Sequence, residues 1–344
     1  MHKLSHKVTI ADIARKLNID PATVSRALHD HPSISERTKT MVINTAEKLH
    51  YNRNNLASSL RSGRTKVIGV MVPSAKINFF GSVVHGIEAL ANEKGYSVLI
   101  YQSNESRTYE VKGLTTFLNA RVDGILVSIA KDTLDYSHFV NIKKLGIPVV
   151  FFDRAKKDLG IPSVVVDDHK GAFEATEHLI KEGYKNIAHI AGPQHMDTFR
   201  HRLEGYRDAL KAYKMPAGKG WVYEGDVSIE SGREAIEHLL SMQKPPDAVF
   251  AVEDFTALGA LKQLKDMKIK VPQEFGVVGF ANELFGEHIT PALSTFDQQT
   301  VQMGREALGL LLQSIETKDS QRKAAKNIVL DPVPVFRESS RRGK

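Results

Sequence analysis

Cysteine is absent from the 344 residues, which removes disulfides, thiolate nucleophiles and cysteine-ligated zinc from consideration. No apolar run approaches the ~18 residues that a bilayer span requires. The opening Met1-His2-Lys3-Leu4-Ser5-His6-Lys7 also lacks the apolar stretch of a signal peptide. A soluble, cytoplasmic protein is therefore expected. Enzyme signatures are missing too: there is no Gly-x-Ser-x-Gly, no P-loop, no Gly-x-Gly-x-x-Gly after a strand and no His-Glu-x-x-His. Among 14 histidines, His195 and His201 stand six apart and His29 and His31 two apart, and neither spacing is a recognised metal set. No catalytic residue, metal or cofactor is expected.

What is present is ordinary in amount and uneven in placement. Apolar residues make up 42%, enough for a globular core, and the length suits two or three domains at roughly 100–200 residues each. The net charge is +7, yet residues 1–66 alone hold 12 Lys or Arg and 5 Asp or Glu. The other 278 residues hold 35 of each sign and are neutral. A short basic module on a neutral body points to a polyanionic partner.

The ends of the module's helices are written in its sequence. Thr9 and Asp12 have capping-box spacing, with Val8 and Ile13 at the staple positions, so a helix over about 10–17 is expected. Asn18 tolerates the left-handed turn that would end it. Asp20 caps a second helix opening on Pro21, and Ser35 caps a third running to about His50 with Met41, Val42, Thr45, Ala46 and Leu49 buried. The first two helices, joined by about three residues, make a helix-turn-helix, whose second helix enters the DNA major groove. The alternative is a three-helix packing unit with no DNA partner. Arg26 can pair bidentately with guanine, and Pro21 and Ala22 can pack on thymine methyls. Outward-facing Ser25 and His29 join them as candidate base readers. Thr9, Thr23, Ser35, Arg53, Asn54, Ala57, Leu60 and Arg61 are candidate backbone or hinge contacts, with residues 53–66 a linker able to form one short helix. Leu60 there is a candidate minor-groove wedge.

Residues 8–64 closely resemble the N-terminal region of the lactose-repressor/galactose-repressor (LacI/GalR) family of bacterial transcription regulators. Val8-Thr9-Ile10-Ala11-Asp12-Ile13-Ala14, Ala22-Thr23-Val24-Ser25-Arg26-Ala27-Leu28, Ile34-Ser35, and Leu49-His50-Tyr51 leading to Leu56-Ala57-Ser58-Ser59-Leu60 carry the likeness. It implies base-reading positions at Pro21, Ala22 and Arg26 and the inserted hinge leucine at Leu60. Asp20 departs from the Ser often found there.

From Val67 onward, eight short apolar runs alternate with helical segments, the pattern of two parallel sheets flanked by helices. The runs end in polar or turn residues: Pro73-Ser74, Ser128, Asp153-Arg154, Asp167-Asp168, Gly192-Pro193, Glu253-Asp254 and Asn282. Ligands of open parallel sheets bind beyond such strand ends, although the same residues also cap helices. This body resembles the family as well, through Gly183 with Ile187–Pro193, Arg202-Leu203-Glu204-Gly205-Tyr206, Ala257–Ala260, Val277–Phe280 and Thr290–Thr295.

The resemblance implies a fold: an all-α helix-turn-helix DNA-binding head (1–52) and hinge helix (53–66), joined to an α/β core of two doubly wound parallel-sheet lobes of periplasmic-binding-protein type (67–338). Lobe 1 is expected over about 67–165 and 296–325, lobe 2 over 166–295 and 326–338, and a tail over 339–344. A homodimer gripping a pseudo-palindromic double-stranded DNA operator is implied, nucleoid-associated when bound, with a small effector, a sugar or sugar derivative, between the lobes. Asp153, Arg202 and the loop Asn78-Phe79-Phe80 match effector-contacting positions; Ser74, Ser128, Glu253, Asn282 and Gln298 complete the candidate set. Where relatives carry Asp after the Val-Val-Gly strand, Phe280 is followed by Ala281-Asn282-Glu283, so that acceptor is lost or replaced by Asn282 or Glu253. Arg200-His201-Arg202 hints at an anionic group such as a sugar phosphate. Two rivals remain: control by a protein co-effector, and a cytoplasmic sugar-processing enzyme.

Overall fold

The computed structural model describes residues 8–49, 51, 63–317 and 326–342. The expectations for Arg53, Asn54, Ala57, Leu60 and Arg61 lie outside the described residues. The chain divides into two units, Met1–Thr65 and Lys66–Lys344, each with its own core.

In the first unit, α1 (Ile10–Leu17), α2 (Pro21–Leu28) and α3 (Glu36–Lys48) enclose Ile13, Ala14, Val24, Ala27, Val42 and Ala46. The caps form as the sequence dictates. Thr9 and Asp12 make a reciprocal capping box, Asn18 ends α1 in the left-handed conformation, the Asp20 carboxylate accepts from Ala22 N at 2.7 Å, and Ser35 caps α3. Met41 departs from its expected place: it is exposed. The α3 face against the core carries Val42, Thr45 and Ala46, one residue after Met41, which turns Met41 about 100° away from the core.

The second unit holds two parallel sheets. The first has strand order β11-β5-β4-β3-β1-β2, with β1 (Val67–Val72), β2 (Ser97–Gln102), β3 (Gly124–Val127), β4 (Val149–Phe152), β5 (Ser163–Val166) and β11 (Asn327–Leu330). Every pairing in it is parallel, for example Val70 opposite both Ile100 and Leu126. The central strands are apolar on both faces because helices cover both. On one face α4 (Asn78–Glu93) and α11 (Thr300–Glu316) cross closely: a Cβ on Gly86 would meet Val301 O at 2.2 Å, and one on Gly304 would meet Val83 O at 2.1 Å. Only glycine fits at either point.

The second sheet is β7-β6-β8-β9, from β6 (Ile187–Ala191), β7 (Val222–Glu224), β8 (Ala248–Ala251) and β9 (Gly276–Val278), again parallel. A ribbon of β10 (Thr295–Asp297) and β12 (Val333–Val335) runs antiparallel beside it and joins β9 through a Val278–Ser294 bridge. Two lobe assignments change as a result. Residues 327–330, expected in lobe 2, pair with β5 in the first sheet, so the last crossing follows Leu330. Residues 339–340, expected as tail, are part of the lobe 2 core: Ser339 and Ser340 are fully buried, and Ser339 N and Oγ donate to Ala292 O (2.9 Å) and Val277 O (2.7 Å). Serines give no hydrophobic signal, and the short apolar run before them hides their role.

Candidate nucleic-acid interface and effector cleft

In the first unit the residues proposed to read bases share the outer surface of α2. Pro21, Ala22, Arg26 and His29 are exposed, while Ser25 and Thr23 are half-buried. His29 Nδ1 lies 2.6 Å from Ser25 O one turn earlier, which fixes the imidazole against its own helix. Among the described residues Arg26 enters no ion pair, so its fork is available to a partner. Other basic residues of this unit do have partners: Lys39, largely buried, contacts Asp30 at 2.5 Å and Glu36 at 2.7 Å. Thr9 and Ser35 are exposed helix caps.

In the second unit a cavity of about 310 Å³ opens between the two sheets. Its wall comes from loops and helix starts beyond the carboxyl ends of strands. Phe79 and Phe80 follow β1, Glu105 follows β2, Lys131 follows β3, and Asp153 and Arg154 follow β4. From the other lobe, Phe199 and Arg202 lie on α8 (Asp197–Ala212) after β6. Glu253 and Phe255 begin α10 (Asp254–Asp266) after β8, and Glu283 follows β9. This is where parallel-sheet proteins hold ligands. Of the ten expected effector contacts, Phe79, Phe80, Asp153, Arg202, Glu253 and Gln298 line the cavity.

The other four stand elsewhere. Ser74 accepts from Lys76 N at 3.2 Å in its own loop, and Asn78 is exposed at the start of α4. Ser128 is fully buried behind Asp153 and donates to its carboxylate at 2.9 Å. Asn282 is tied to Asp297 (3.1 Å) and Arg337 (3.0 Å), both away from the cavity. Arg200 does not join Arg202 either: it pairs with Asp197 at 2.8 Å and Glu204 at 3.0 Å along its own helix. The three-residue cluster of the sequence is thus split by helical geometry, since neighbours at i and i+2 point apart.

The two wall arginines are held in place by the protein. Arg202 is 3% exposed; Nε donates to Asp168 at 2.8 Å, Nη1 to Val252 O at 2.6 Å, and Nη2 to Gln298 Oε1 at 3.3 Å. Its guanidinium also stacks 3.9 Å above the Phe280 ring. Arg154 donates to both Glu105 oxygens at 3.0 and 2.8 Å. Arg154 was a strand-end candidate that did not enter the effector set, and Glu105 was not expected at all; both line the cavity.

Burial raises the carboxylates of this region. Desolvation pushes Asp153 up against the opposing pull of Arg154 and the Ser128 hydroxyl. It pushes Asp168 up to about 6 despite Arg202. Desolvation also pushes Asp254 up to about 7, against hydrogen bonds from Thr295 Oγ1 (2.6 Å) and Glu283 N (2.7 Å). Asp254 therefore does not cap its helix; it pins the 281–283 loop. Glu253 caps α10 instead, accepting from Phe255 N at 2.9 Å and from Thr256 N and Oγ1 at 2.7 and 2.8 Å.

The lobes touch across the cleft. Glu283 accepts from Phe79 N at 3.1 Å, Lys131 Nζ donates to Asp226 O at 2.7 Å, and His195 Nε2 lies 2.7 Å from Lys131 O.

This architecture is shared with known proteins. Residues 65–338 match the family described as periplasmic binding proteins and sugar binding domain of LacI family, and residues 9–54 match bacterial regulatory proteins, lacI family. The chain belongs to the LacI family. It is accordingly a DNA-binding transcriptional repressor with a periplasmic-binding-protein-like core. Catabolite control protein A of Priestia megaterium is 32% identical over 317 residues, covering 91% of this chain and 95% of that protein. The HTH-type transcriptional repressor CytR of Escherichia coli (strain K12) is 32% identical over 308 residues, covering 90% of each. These LacI-family relatives are transcriptional regulators, not enzymes. Among solved structures, a transcriptional regulator CelR–cellobiose complex matches with TM-score 0.71 and 29% identity over 96% of this chain and 99% of that one. The lac repressor dimer bound to operator and the anti-inducer ONPF shares the fold, with TM-score 0.85 and 24% identity over 97% and 99%. Among the described residues no helix is long and apolar enough to cross a membrane.

Proposed function

We propose that this chain acts as a cytoplasmic homodimer, without enzymatic activity, that grips a pseudo-palindromic operator and answers to a sugar or sugar derivative bound between its lobes. The observation that carries the reading is the cavity. Phe79, Phe80, Phe199 and Phe255 offer apolar faces for a sugar ring. Asp153 and the fixed Arg202 bring hydrogen-bonding groups suited to vicinal hydroxyls. The matched CelR structure holds cellobiose, which favours a carbohydrate here. Arg26, Pro21, Ala22, Ser25 and His29 would read base edges, with Thr9, Thr23 and Ser35 on the phosphates. Arg53, Asn54, Ala57, Leu60 and Arg61 would form the hinge contacts at the operator centre.

Dimerisation has a candidate surface in lobe 1. β2 is the edge strand of its sheet, with Ile100 exposed, and the following helix exposes Tyr109 and Val111. An apolar sheet edge of this kind calls for cover. Effector binding would shift the balance between lobe arrangements by its differential affinity and so bias the paired hinges.

The test combines two measurements. Thermal-shift screening of the full chain against mono- and disaccharides should reveal a ligand that raises its melting point. Operator selection with and without that ligand should return a two-fold sequence whose affinity the ligand changes. A chain that no sugar stabilises, or whose DNA affinity ignores the bound sugar, would overturn the reading.

A further inference from the structure

The histidines two apart in the first unit, His29 and His31, are held with their ring protons on opposite nitrogens, and the difference bears on DNA. At the end of α2 the backbone tightens, and His29 N donates to Arg26 O at 3.2 Å rather than to Ser25 O. The Ser25 carbonyl is one of the last-turn acceptors that a helix end leaves over. The His29 ring meets it, with Nδ1 2.6 Å away. A carbonyl oxygen can only accept, so Nδ1 carries the proton. Nε2 of the neutral ring is then a bare acceptor, on an exposed side chain and without a hydrogen bond among the described residues. His31 is the reverse. Ser33 N donates to its Nδ1 at 3.2 Å, so the neutral His31 ring carries its proton on Nε2 and offers a donor there.

His29 also stands on the face proposed to read bases. It follows Ala22 by seven residues, close to two helical turns, and Ser25 by four, so the three share one side of α2 with the exposed Arg26 beside them. A lone pair presented there has few partners on DNA. Phosphate oxygens, guanine N7 and O6, adenine N7 and thymine O4 are all acceptors and repel it. The only major-groove donors are adenine N6 and cytosine N4. On a given strand, adenine and cytosine therefore offer an amine where guanine and thymine offer an oxygen.

We propose that His29 is a specificity-determining residue that selects an amine-bearing base, adenine or cytosine, over guanine or thymine on the strand it faces. This rests on the reading of α2 as the base-reading helix and goes one step past it. The Ser25 carbonyl supplies the selectivity, because an imidazole free to move its proton could donate as readily as accept. Arg26 makes the opposite demand: its guanidinium only donates, which suits the acceptors of guanine. The two side chains thus set complementary requirements along one half-site. His31, with its proton on Nε2 and its Nδ1 occupied by Ser33 N, cannot make the amine choice.

Selection of random duplexes by the full chain, at about pH 8 where an imidazole is neutral, decides the matter in two steps. One position of each half-site should accept adenine and cytosine and reject guanine and thymine, and His29→Ala should lose that split whereas His31→Ala keeps it. At that position the base is then replaced by one lacking only the amine, purine for adenine or pyrimidin-2-one for cytosine. The replacement should weaken wild type about three- to tenfold more than it weakens His29→Ala, as expected for one hydrogen bond. This second step deletes the contact from the DNA side, so it does not depend on how well the variant folds. Guanine or thymine at the His29-dependent position, no position that depends on His29, or equal losses in the two proteins would overturn the inference. A guanine that still depends on Arg26 in the same selection would leave the reading helix standing. A selection that returns no operator would overturn both.

Discussion

The two units keep their working side chains in opposite states. On α2 of the helix-turn-helix unit, Arg26 and His29 are exposed and Arg26 has no ion-pair partner among the described residues. In the cleft, Arg202 and Asp168 are 3% and 5% exposed and bound to each other at 2.7 Å. A surface that reads a polyanion needs cations at liberty, held only by their helix, because the partner supplies the counter-charge. A buried pair such as Arg202 and Asp168 cannot leave charge at liberty, so each charge is compensated in place by the other. Substitutions should therefore cost function without stability in one unit, and both together in the other.

The cleft should show the largest effect. Arg202→Ala strands the Asp168 carboxylate in the core, and loss of one partner of a buried pair costs about 3–5 kcal/mol. Urea denaturation of the second unit should record that loss, together with loss of effector binding by calorimetry. Arg202→Ala combined with Asp168→Asn should recover part of it. A stability within ~0.5 kcal/mol of wild type, the range of surface substitutions, would show that the pair is not compensating a buried charge.

The next effect is a pH dependence. Asp254 sits at about 7 in the folded chain and near 3.9 when unfolded. Between those values the folded state holds a proton that the unfolded state has released. Stability contributed by this group is therefore greatest in acid and falls as pH rises from about 4 to 7, by up to about 1.4 kcal/mol per pH unit. Asp168, raised to about 6, acts in the same direction over the lower part of that window. Melting temperatures of Asp254→Asn should fall less steeply from pH 5 to 7 than those of wild type. Parallel slopes would remove Asp254 as the titrating group.

The same contrast explains what the sequence could and could not disclose. The head was legible almost residue by residue, because capping boxes, Pro at the first helical turn and left-handed Asn18 act over three or four positions. Met41 was misplaced by a single position on its helix, and that position decides exposure. The parallel sheets were legible from apolar runs; of the cleft residues, Asp153 and Glu253 were legible from their strand ends, whereas Phe79, Phe80 and Arg202 came through the family resemblance. What escaped was set by distance in the chain. Glu105 became visible only when Arg154 came to lie beside it, 49 residues later. Glu283 became visible only once Asp254 had pinned its loop and Phe79, 204 residues away, had met it. Ser128 and Asn282 have the right chemistry at the right strand ends, but their bonds to Asp153, Asp297 and Arg337 spend them on support. Position after a strand predicts the neighbourhood of a ligand, whereas partner choice decides which side chains face it.

Smaller effects belong to the helix-turn-helix unit. Arg26→Ala should cost about 1–3 kcal/mol against the selected operator and relax discrimination at one base pair. Because Arg26 is exposed, the melting point should stay within error. Binding-site selection checks the first half and calorimetric melting the second. Undiminished selectivity would hand the reading role to His29 or Ala22, and a lowered melting point would mean that Arg26 is structural after all.

The smallest effect tests whether the local code of this unit holds α2 in place. Asp20→Ala removes the carboxylate that accepts from Ala22 N at 2.7 Å, and loss of such a cap costs ~1 kcal/mol. Asp20→Ser should restore most of it, because a hydroxyl can accept from the same turn. The same swap removes a negative charge from the N-terminus of the proposed reading helix, so DNA affinity should rise in Asp20→Ser even though stability does not. Melting of the head and salt-dependent operator titration separate the two roles. An affinity that simply tracks stability across the three variants would mean Asp20 acts as a cap alone, whereas an affinity gain confined to the neutral variants would show its charge held against the DNA. For Arg202 in the cleft no such separation is available, since it is at once the partner of Asp168 and part of the wall.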